Sequence, residues 1–336
     1  MSPVLAASVR VLIAVGLMMA NGVMMIYMLR KVLGHLHLRY GPLHVGWHGL
    51  LQTPLDVVKL LTKEDVTPRA VDRWLFRLAP LAVFVPSLMA YAALPFGPGW
   101  SIVSLDTGLL YTFAVLSLVP IGLLMAGWAS ANKWSLLGGM RAAAQQIAYE
   151  VPLLLSVLPV VLIAGTMSLG GIVDAQQGLW LGVLPRWFVF NPLGLIAFAL
   201  FVVAGLVESN QTPFDMSEAE SELVTGFATE YSAMKFGLLF LSEFSNQFIL
   251  SALGVTVFFG GWMLPWIPVE WYAEIPVLPA AVFIAKVYVG IFVMMWIRGT
   301  YPRVRVDRMM ELGWKRLIPA GLVLVLLTGF IQKAVM

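Results

Sequence analysis

Long, unbroken apolar segments are the feature that most constrains what this chain can fold into. A helix needs about 20 mostly apolar residues to cross a bilayer, and only helices or closed barrels can satisfy their backbone polar groups in that layer. Barrel strands would alternate apolar and polar residues over short segments, and the segments here are continuous. We therefore predict an all-α integral membrane protein, one polytopic membrane domain over residues 1–336 with eight spans at about 4–29, 77–96, 108–130, 147–169, 191–208, 234–261, 277–297 and 315–335.

The composition excludes several classes of protein. Of the 336 residues, 60% are hydrophobic and 12% are charged, whereas soluble domains carry about 25% charged residues. The chain has no cysteine, so it cannot supply thiolates to an iron–sulfur cluster or a zinc site, attach a c-type haem or form a disulfide. The net charge of +3 is too small to indicate nucleic-acid binding. We expect no metal site and no cofactor bound by this chain alone.

The positive charges predict the orientation in the membrane. Seventeen of the 21 Lys and Arg residues fall in alternate loops, at residues 30–77, 131–146, 209–235 and 298–316. Cytoplasmic loops carry the excess of Lys and Arg in membrane proteins. We therefore expect these four loops to be cytoplasmic and both termini to lie on the outer side.

Four ionisable residues fall within or at the end of predicted spans: Glu150, Glu208, Glu243 and Lys286. Such residues are costly in a membrane and normally face a protein interior or a water-filled path for ions or protons. Glu243 is eight residues beyond Lys235, about 12 Å along a helix and inside the apolar layer. The alternative is that Glu243 and Lys286 pair with each other to hold two helices together.

The third cytoplasmic loop contains a dense group of acidic residues. Five carboxylates fall within fifteen residues without a basic residue among them: Glu208, Asp215, Glu218, Glu220 and Glu222; Glu230 follows, and Lys235 is the first cation. If residues 215–222 are helical, Asp215, Glu218 and Glu222 share a face, and repulsion between them favours the uptake of protons. The pattern favours a proton relay, and the alternative is a solvated acidic loop.

The first cytoplasmic loop contains an amphipathic segment. Residues 45–61 interleave apolar and polar side chains at roughly helical spacing, which is typical of a short helix on the membrane surface. His44 and His48 are four residues apart but have no third ligand at a matching offset. We therefore favour an interfacial role for these histidines.

Several motifs together resemble one known family. They are Arg39-Tyr-Gly-Pro42 and Lys59-Leu-Leu-Thr-Lys-Glu-Asp65 in the first loop, Thr212-Pro-Phe-Asp215 and Glu218-Ala-Glu-Ser-Glu-Leu-Val224 in the third, and Trp296-Ile-Arg-Gly-Thr300 in the last. At these motifs the chain resembles the H-subunit family of respiratory complex I, the proton-pumping NADH–quinone oxidoreductase. The matches extend over most of the sequence.

The resemblance implies a membrane subunit of a larger enzyme, without a redox centre of its own. Such a subunit would form part of the quinone tunnel with hydrophilic subunits, and would begin a carboxylate path toward antiporter-like membrane subunits. Its substrate would be quinone, its NADH, FMN and Fe–S clusters would lie in partner subunits, and its location would be a bacterial inner membrane. The tunnel opening would lie between the first span, the amphipathic helix and the sixth span.

The resemblance also implies roles for individual residues. The proton relay would consist of Asp215, Glu218, Glu220, Glu222, Glu230, Glu243, Glu208, Glu150 and Lys286. The quinone tunnel would include Arg30, Arg39, Trp47, Leu51, Gln52, Asp56, Gln211, Phe214 and Arg298. The chain departs from the family at Leu29, His37, Leu43, His44 and Gln211, where the family commonly has Glu, Gln, Asn, Arg and Arg. These departures concern the expected quinone side and leave the carboxylates intact.

Three other functions stay open on the sequence. The chain would also suit the homologous membrane subunit of a hydrogenase- or ferredoxin-linked complex, a stand-alone ion transporter, or an anchor for a peripheral arm. The lack of an internal repeat argues against the transporter. Expected partners are the other subunits of the complex, membrane lipid and quinone, with no nucleic acid. The sequence leaves the type of quinone, the electron donor and the choice between protons and sodium ions open.

Overall fold

The computed structural model describes residues 3–180, 184–216, 220–265, 267, 271–272, 275 and 277–335. Two short strands, β1 (Leu179–Trp180) and β2 (Leu184–Pro185), pair antiparallel. Short 3₁₀ turns lie at Trp47–Gly49, Phe188–Phe190 and Gly226–Ala228, and a π-helical turn at Leu312–Leu317. The α-helices are α1 (Pro3–Leu36), α2 (Gln52–Thr62), α3 (Arg73–Ala93), α4 (Gly108–Leu116), α5 (Val119–Ala129), α6 (Lys133–Ala164), α7 (Leu169–Asp174), α8 (Pro192–Glu208), α9 (Glu220–Leu223), α10 (Ala233–Phe258), α11 (Val277–Thr300), α12 (Val306–Glu311) and α13 (Ile318–Val335).

The helices confirm the prediction of an all-α membrane protein with about eight spans. In the described part of the chain, seven helical segments are long and apolar enough to cross a membrane. The remaining predicted span is α8, an apolar helix of 17 residues. The span predicted at 108–130 consists of two helices, α4 and α5, and Pro120 lies in the first turn of the second.

The fourth and last spans begin earlier than predicted. Residues 131–146 were expected to form a loop, but α6 begins at Lys133. Its first turns pack through glycine, because a Cβ on Gly139 would lie 3.0 Å from the Cα of Gly127 on α5. Small residues allow such close approach of helices in membranes, and this packing extends the helix through a segment whose Lys and Arg resemble a loop. The last span likewise begins at Val306 and runs through the π-helical turn.

The amphipathic helix predicted over residues 45–61 is present but begins later, at Gln52. The backbone of His48 and Gly49 has φ of 52° and 79°, which lies outside the right-handed helical region. A Cβ on Gly49 would lie 2.3 Å from the carbonyl oxygen of Pro42, so glycine is required there. The turn at residues 46–49 therefore excludes these residues from α2.

Helix α10 forms the centre of the bundle. In its most apolar stretch 83% of the residues are buried, against 22% for α1. Phe248 of α10 stacks on Tyr91 of α3 with ring centroids 5.2 Å apart, and Phe258 contacts the ring of Phe198 on α8. Because α10 is surrounded by protein, its polar side chains face other helices and not lipid.

Replacement of Gly138 by valine should destabilise the subunit. A Cβ at this position would lie 2.7 Å from the backbone of both Gly226 and Phe227, so the Gly226–Ala228 turn would have to move away from α6. We expect a loss of about 1–3 kcal/mol of stability, the usual cost of overpacking. A thermal melt followed by tryptophan fluorescence would measure it. Gly16→Val is the matched control, since nothing lies within 4 Å of a Cβ there; equal melting temperatures of the two variants would contradict this account.

Candidate functional site

A small cavity inside the helical bundle collects the buried acidic and amide side chains. Its volume is about 20 Å³. We call it the polar chamber and define it by its polar lining residues, which come from α6, the end of α8 and α10: Gln146, Glu208, Ser209, Asn210, Glu243 and Asn246. Apolar side chains such as Val83, Leu123 and Leu239 complete the wall. The chamber thus places two glutamates from different helices around one enclosed space.

Glu208 is held at the end of α8 by contacts with α6. It is the last residue of that helix and is buried. Its backbone carbonyl accepts a hydrogen bond from Nε2 of Gln146, at 3.4 Å. Among the described residues, neither Oε2 of Glu208 nor Oε1 of Gln146 has a hydrogen-bond partner, although both atoms are buried. Two acceptors are therefore available to a donor in the chamber.

Glu243 is connected to Arg298, near the C-terminal end of α11, through one amide. Nη1 of Arg298 donates to Oε1 of Gln211 at 2.7 Å, and Nε2 of Gln211 donates to Oε1 of Glu243 at 3.2 Å. Gln211 is fully buried and also donates to the carbonyl of Ser209 at 3.2 Å. The alternative, a pair between Glu243 and Lys286, is therefore wrong, because the partner of Glu243 is this amide.

Glu150 continues the group of acids along α6. It is partly buried and lies one helical turn after Gln146. Its carboxyl group interacts electrostatically with that of Glu208. The structure therefore brings Glu243, Glu208 and Glu150 together, although they come from α10, α8 and α6.

The acidic third loop has partners that the sequence did not reveal. Asp215 is buried and pairs with Arg303 at 3.3 Å, and Glu222 pairs with Arg141 at 2.6 Å. Glu230 accepts a hydrogen bond from the side-chain amide of Asn132 at 2.7 Å. Asp215 and Glu222 therefore have basic partners, although no basic residue lies among the acids in the sequence. The arginines come from α6 and from the last loop, more than 80 residues away in sequence.

A shared face for Asp215, Glu218 and Glu222 would require a helix over residues 215–222. Asp215 and Met216 are not helical, and the described part of the next helix is Glu220–Leu223. Asp215 and Glu222 therefore do not share a helical face. Glu218 lies outside the described residues, as does the side chain of Glu220.

Lys286 lies at the C-terminal end of α10, whereas Glu243 lies in the middle of that helix. Its Nζ donates to the carbonyls of Phe259, Gly261 and Met263 at 2.8, 3.0 and 2.5 Å, and it lies 4.6 Å from the centroid of the Trp187 ring. Phe259 follows Glu243 by sixteen residues, about 24 Å along a helix. A cation is favourable at a helix C-terminus, where carbonyls lack partners. Lys286 therefore caps α10, and in the described part of the chain its ammonium group contacts carbonyls and a tryptophan ring and not Glu243.

Comparison with known proteins decides the family. A family model described as NADH dehydrogenase matches residues 9–329 of this chain. The chain belongs to that family. Relatives named as the H-subunit of NADH-quinone oxidoreductase include one from Dehalococcoides mccartyi (strain CBDB1), 42% identical over 96% of this chain and 86% of its own length. Another, from Geobacillus kaustophilus (strain HTA426), is 47% identical over 90% of this chain and 87% of its own length.

In this member of the NADH dehydrogenase family, α2 lies between α1 and the start of α10. Arg30 of α1 pairs with Asp56 of α2 at 2.6 Å, and Nε2 of Gln52 donates to the same carboxylate at 3.1 Å. Beyond α2, Asp65 pairs with Lys235 of α10 at 2.8 Å. The three elements that the resemblance assigned to the tunnel opening therefore lie together.

The residues assigned to the quinone tunnel form two groups in the fold. The first group lies at α1 and α2. It contains the polar cluster of Arg30, Gln52 and Asp56 and, nearby in the chain, the exposed residues Arg39, Trp47 and Leu51; Trp47 is 80% exposed. The second group lies at the segment that follows α8 and contains Gln211, Phe214 and Arg298. Gln211 and Phe214 are buried, and Arg298 is partly buried. This second group adjoins the polar chamber through Gln211.

Sequence reasoning missed the neutral amides that hold the site together. Nε2 of Gln145 lies within 3.0 Å of the carbonyls of Val207 and Phe214 and of Oδ1 of Asn210. Ser87 of α3 donates to Asn246 at 2.8 Å. The sequence did contain a signal for these amides, because paired glutamines at 145–146 interrupt a segment of small and apolar residues. In the described residues, no three His, Cys, Asp or Glu side chains are grouped as a metal site.

Removal of the Lys286 ammonium should destabilise the bundle. Lys286→Met leaves three carbonyls at the end of α10 without their donor, which costs about 1–3 kcal/mol for buried polar groups. We expect a lower melting temperature of the purified complex and normal melting of Lys333→Met, since Lys333 is exposed near the end of α13. A Lys286→Met variant as stable as Lys333→Met would show that the cap has no structural role.

Proposed function

We propose that this chain is the membrane subunit of a proton-pumping NADH–quinone oxidoreductase that forms part of the quinone tunnel and couples quinone reduction to proton translocation. One observation carries the proposal: Glu208 and Glu243, from two helices, line one polar chamber inside the membrane domain. Glu150 of a third helix interacts electrostatically with Glu208, and Gln211 links Glu243 to Arg298 by hydrogen bonds. The names of the relatives favour this enzyme over a hydrogenase-linked complex.

The relay that we propose has two parts. Asp215, on the cytoplasmic side, acts on Glu243 through its charge. Protons then move along Glu243, Glu208 and Glu150 in that order. A carboxylate inside a membrane is costly in its charged form, and carboxyl groups close to one another titrate as a coupled set. The protonated and deprotonated forms of these carboxyl groups are then close in free energy, as a proton relay requires. Glu222 and Glu230, with Glu218 and Glu220, would belong with Asp215 to the charged part in the third loop, and Lys286 stays outside the relay.

One water molecule in the polar chamber would complete the path from Glu243 to Glu208. A cavity needs about 10–15 Å³ to hold a water molecule, which then needs two to four polar partners. The chamber has about 20 Å³, and Oε2 of Glu208 and Oε1 of Gln146 are buried acceptors without partners among the described residues. Carboxyl oxygens at both ends make such a water a proton carrier.

This chain would perform no bond chemistry alone. It has no cysteine for an Fe–S cluster, so NADH, FMN and the clusters belong to partner subunits in this proposal. Quinone would enter where α1, α2 and the start of α10 meet, beside the Arg30–Asp56 pair. The negative charge that quinone acquires on reduction would act on Asp215 and Arg303, which form an ion pair at the cytoplasmic side.

The proposed setting is a bacterial inner membrane with both termini on the outer side. The excess of Lys and Arg in alternate loops supports this orientation. The cytoplasmic face, with the third loop and the Arg141–Glu222 pair, would receive the hydrophilic quinone-site subunits. Small and antiporter-like membrane subunits would take protons on from Glu150.

Substitution of Glu243 by glutamine tests the relay. The variant keeps a polar group beside Gln211 but carries no proton, and proton transfer by a positioned side chain contributes about 10²–10⁴-fold where it is used. We expect proton pumping and quinone reduction by the assembled complex in liposomes to fall about tenfold or more. Glu311→Gln is the matched control, since Glu311 pairs with Lys315 on the surface. Normal pumping by Glu243→Gln would refute the relay.

Substitution of Arg30 by alanine tests the quinone entry. Loss of the pair with Asp56 loosens α2 from α1, so the entry loses its shape while the relay stays intact. We expect the apparent KM for a short-chain quinone to rise several-fold, with a smaller effect on kcat. Arg77→Ala, an exposed arginine on α3, serves as the control. An unchanged KM in Arg30→Ala would place the entry elsewhere.

A further inference from the structure

Gln211 occupies the single hydrogen-bonded step between Arg298 and Glu243 in the described structure. The orientation of its amide follows from its neighbours. An arginine only donates hydrogen bonds, so the atom that faces Arg298 at 2.7 Å must be Oε1. Nε2 therefore faces Ser209 and Glu243, and its two hydrogens are used by the carbonyl of Ser209 and Oε1 of Glu243.

This arrangement leaves no path for a proton through the step. A carboxamide has no group that gains or loses a proton near neutral pH, and an arginine stays charged in proteins. Oε1 of Glu243 accepts from Gln211, so a proton on this carboxyl group belongs on Oε2. Among the described residues, the hydrogen-bonded route from Arg298 to Glu243 therefore passes through a group that carries no proton.

The same arrangement does transmit charge and position. Arg298 and Asp215 both interact electrostatically with Glu243, with opposite effects on its charged form. On the chamber side Glu243 faces Glu208, Gln146, Asn246 and Ser209. Because Gln211 is fully buried and bonded at both ends, a displacement of Arg298 would move the amide and alter the hydrogen bond to Glu243.

We propose that Gln211 is a positioning residue that insulates the polar chamber. It couples the charge and position of Arg298 to Glu243, and it prevents protons from passing between the quinone side and the polar chamber. The inference rests on the proposed relay and adds a requirement to it. Protons taken up with quinone and protons moved through the membrane must stay separate, or pumping is short-circuited.

A carboxyl group at this position should create that short circuit. Gln211→Glu supplies a group that can carry a proton between Arg298 and Glu243. In liposomes that contain the assembled complex, we expect the number of protons translocated per quinone reduced to fall at least twofold, at whatever turnover rate the variant keeps. The passive proton conductance of the idle enzyme should rise as well.

Gln247→Glu is the matched control for the added carboxyl group. Gln247 is also fully buried and lies one turn after Glu243 on α10, but its side chain has only a 4.0 Å contact with the sulfur of Met294. We expect its ratio of protons to quinone to stay normal. A normal ratio in Gln211→Glu, or an equal fall in both variants, would overturn the inference.

A second measurement does not depend on assembly of Gln211→Glu. Gln211→Met removes the hydrogen bond to Glu243 and adds no proton carrier. Infrared difference spectra on quinone reduction contain the band of the Glu243 carboxyl group, which is identified by its loss in Glu243→Gln. We expect this band to shift in Gln211→Met and to stay unshifted in Gln247→Met. An unshifted band in Gln211→Met would show that Gln211 does not act on Glu243.

The outcomes separate this inference from the proposed function. If Glu243→Gln pumps normally, the relay itself fails, whatever the Gln211 variants do. If Glu243→Gln stops pumping while Gln211→Glu keeps a normal ratio of protons to quinone, the relay stands and only the insulating role of Gln211 is refuted.

Discussion

The hydrogen-bonded bridge from Arg298 through Gln211 to Glu243 is the interaction on which the rest of the site depends. Charged groups inside a membrane must find partners within the protein. Here the cation and the carboxyl group come from different helices and meet on an amide that is fully buried. The bridge joins α11, the connection after α8, and α10, so the packing of these three elements and the placement of Glu243 depend on each other.

Neutral amides form many of the hydrogen bonds that connect the helices around the acids. Gln145 ties α6 to the end of α8 through three acceptors, and Asn246 joins α10 to Ser87 of α3. Hydrogen bonds between buried polar groups favour one arrangement of the helices over others. Among the described residues, acceptor atoms without a partner remain on amides and acids alike, at Oε1 of Gln145, Oε1 of Gln146 and Oε2 of Glu208. The amide hydrogens thus hold the helices together, while acceptors on both kinds of side chain stay available to a donor.

Much of the fold followed from elementary patterns in the sequence. The apolar segments identified the spans because a bilayer leaves few alternatives, and the amphipathic pattern identified α2. The sequence also predicted that Glu243 and Glu208 lie within or at the end of spans. The boundaries of α6 and the last span were wrong because helix packing through residues such as Gly139 is invisible to local hydropathy. The pairs of Asp215 with Arg303 and Glu222 with Arg141 were missed because their partners are distant in sequence.

The sequence by itself determined that this chain crosses a membrane as helices and carries acids where a bilayer penalises them. Composition and periodicity suffice for that, since the cost of an unpaired polar group in hydrocarbon depends on residue type and segment length. Only the tertiary structure decided which groups meet. It placed Lys286 on the carbonyls at the C-terminal end of α10 and Glu243 beside Gln211 in the middle of that helix. Such contacts depend on how helices are rotated and crossed, which is set by packing over the whole bundle.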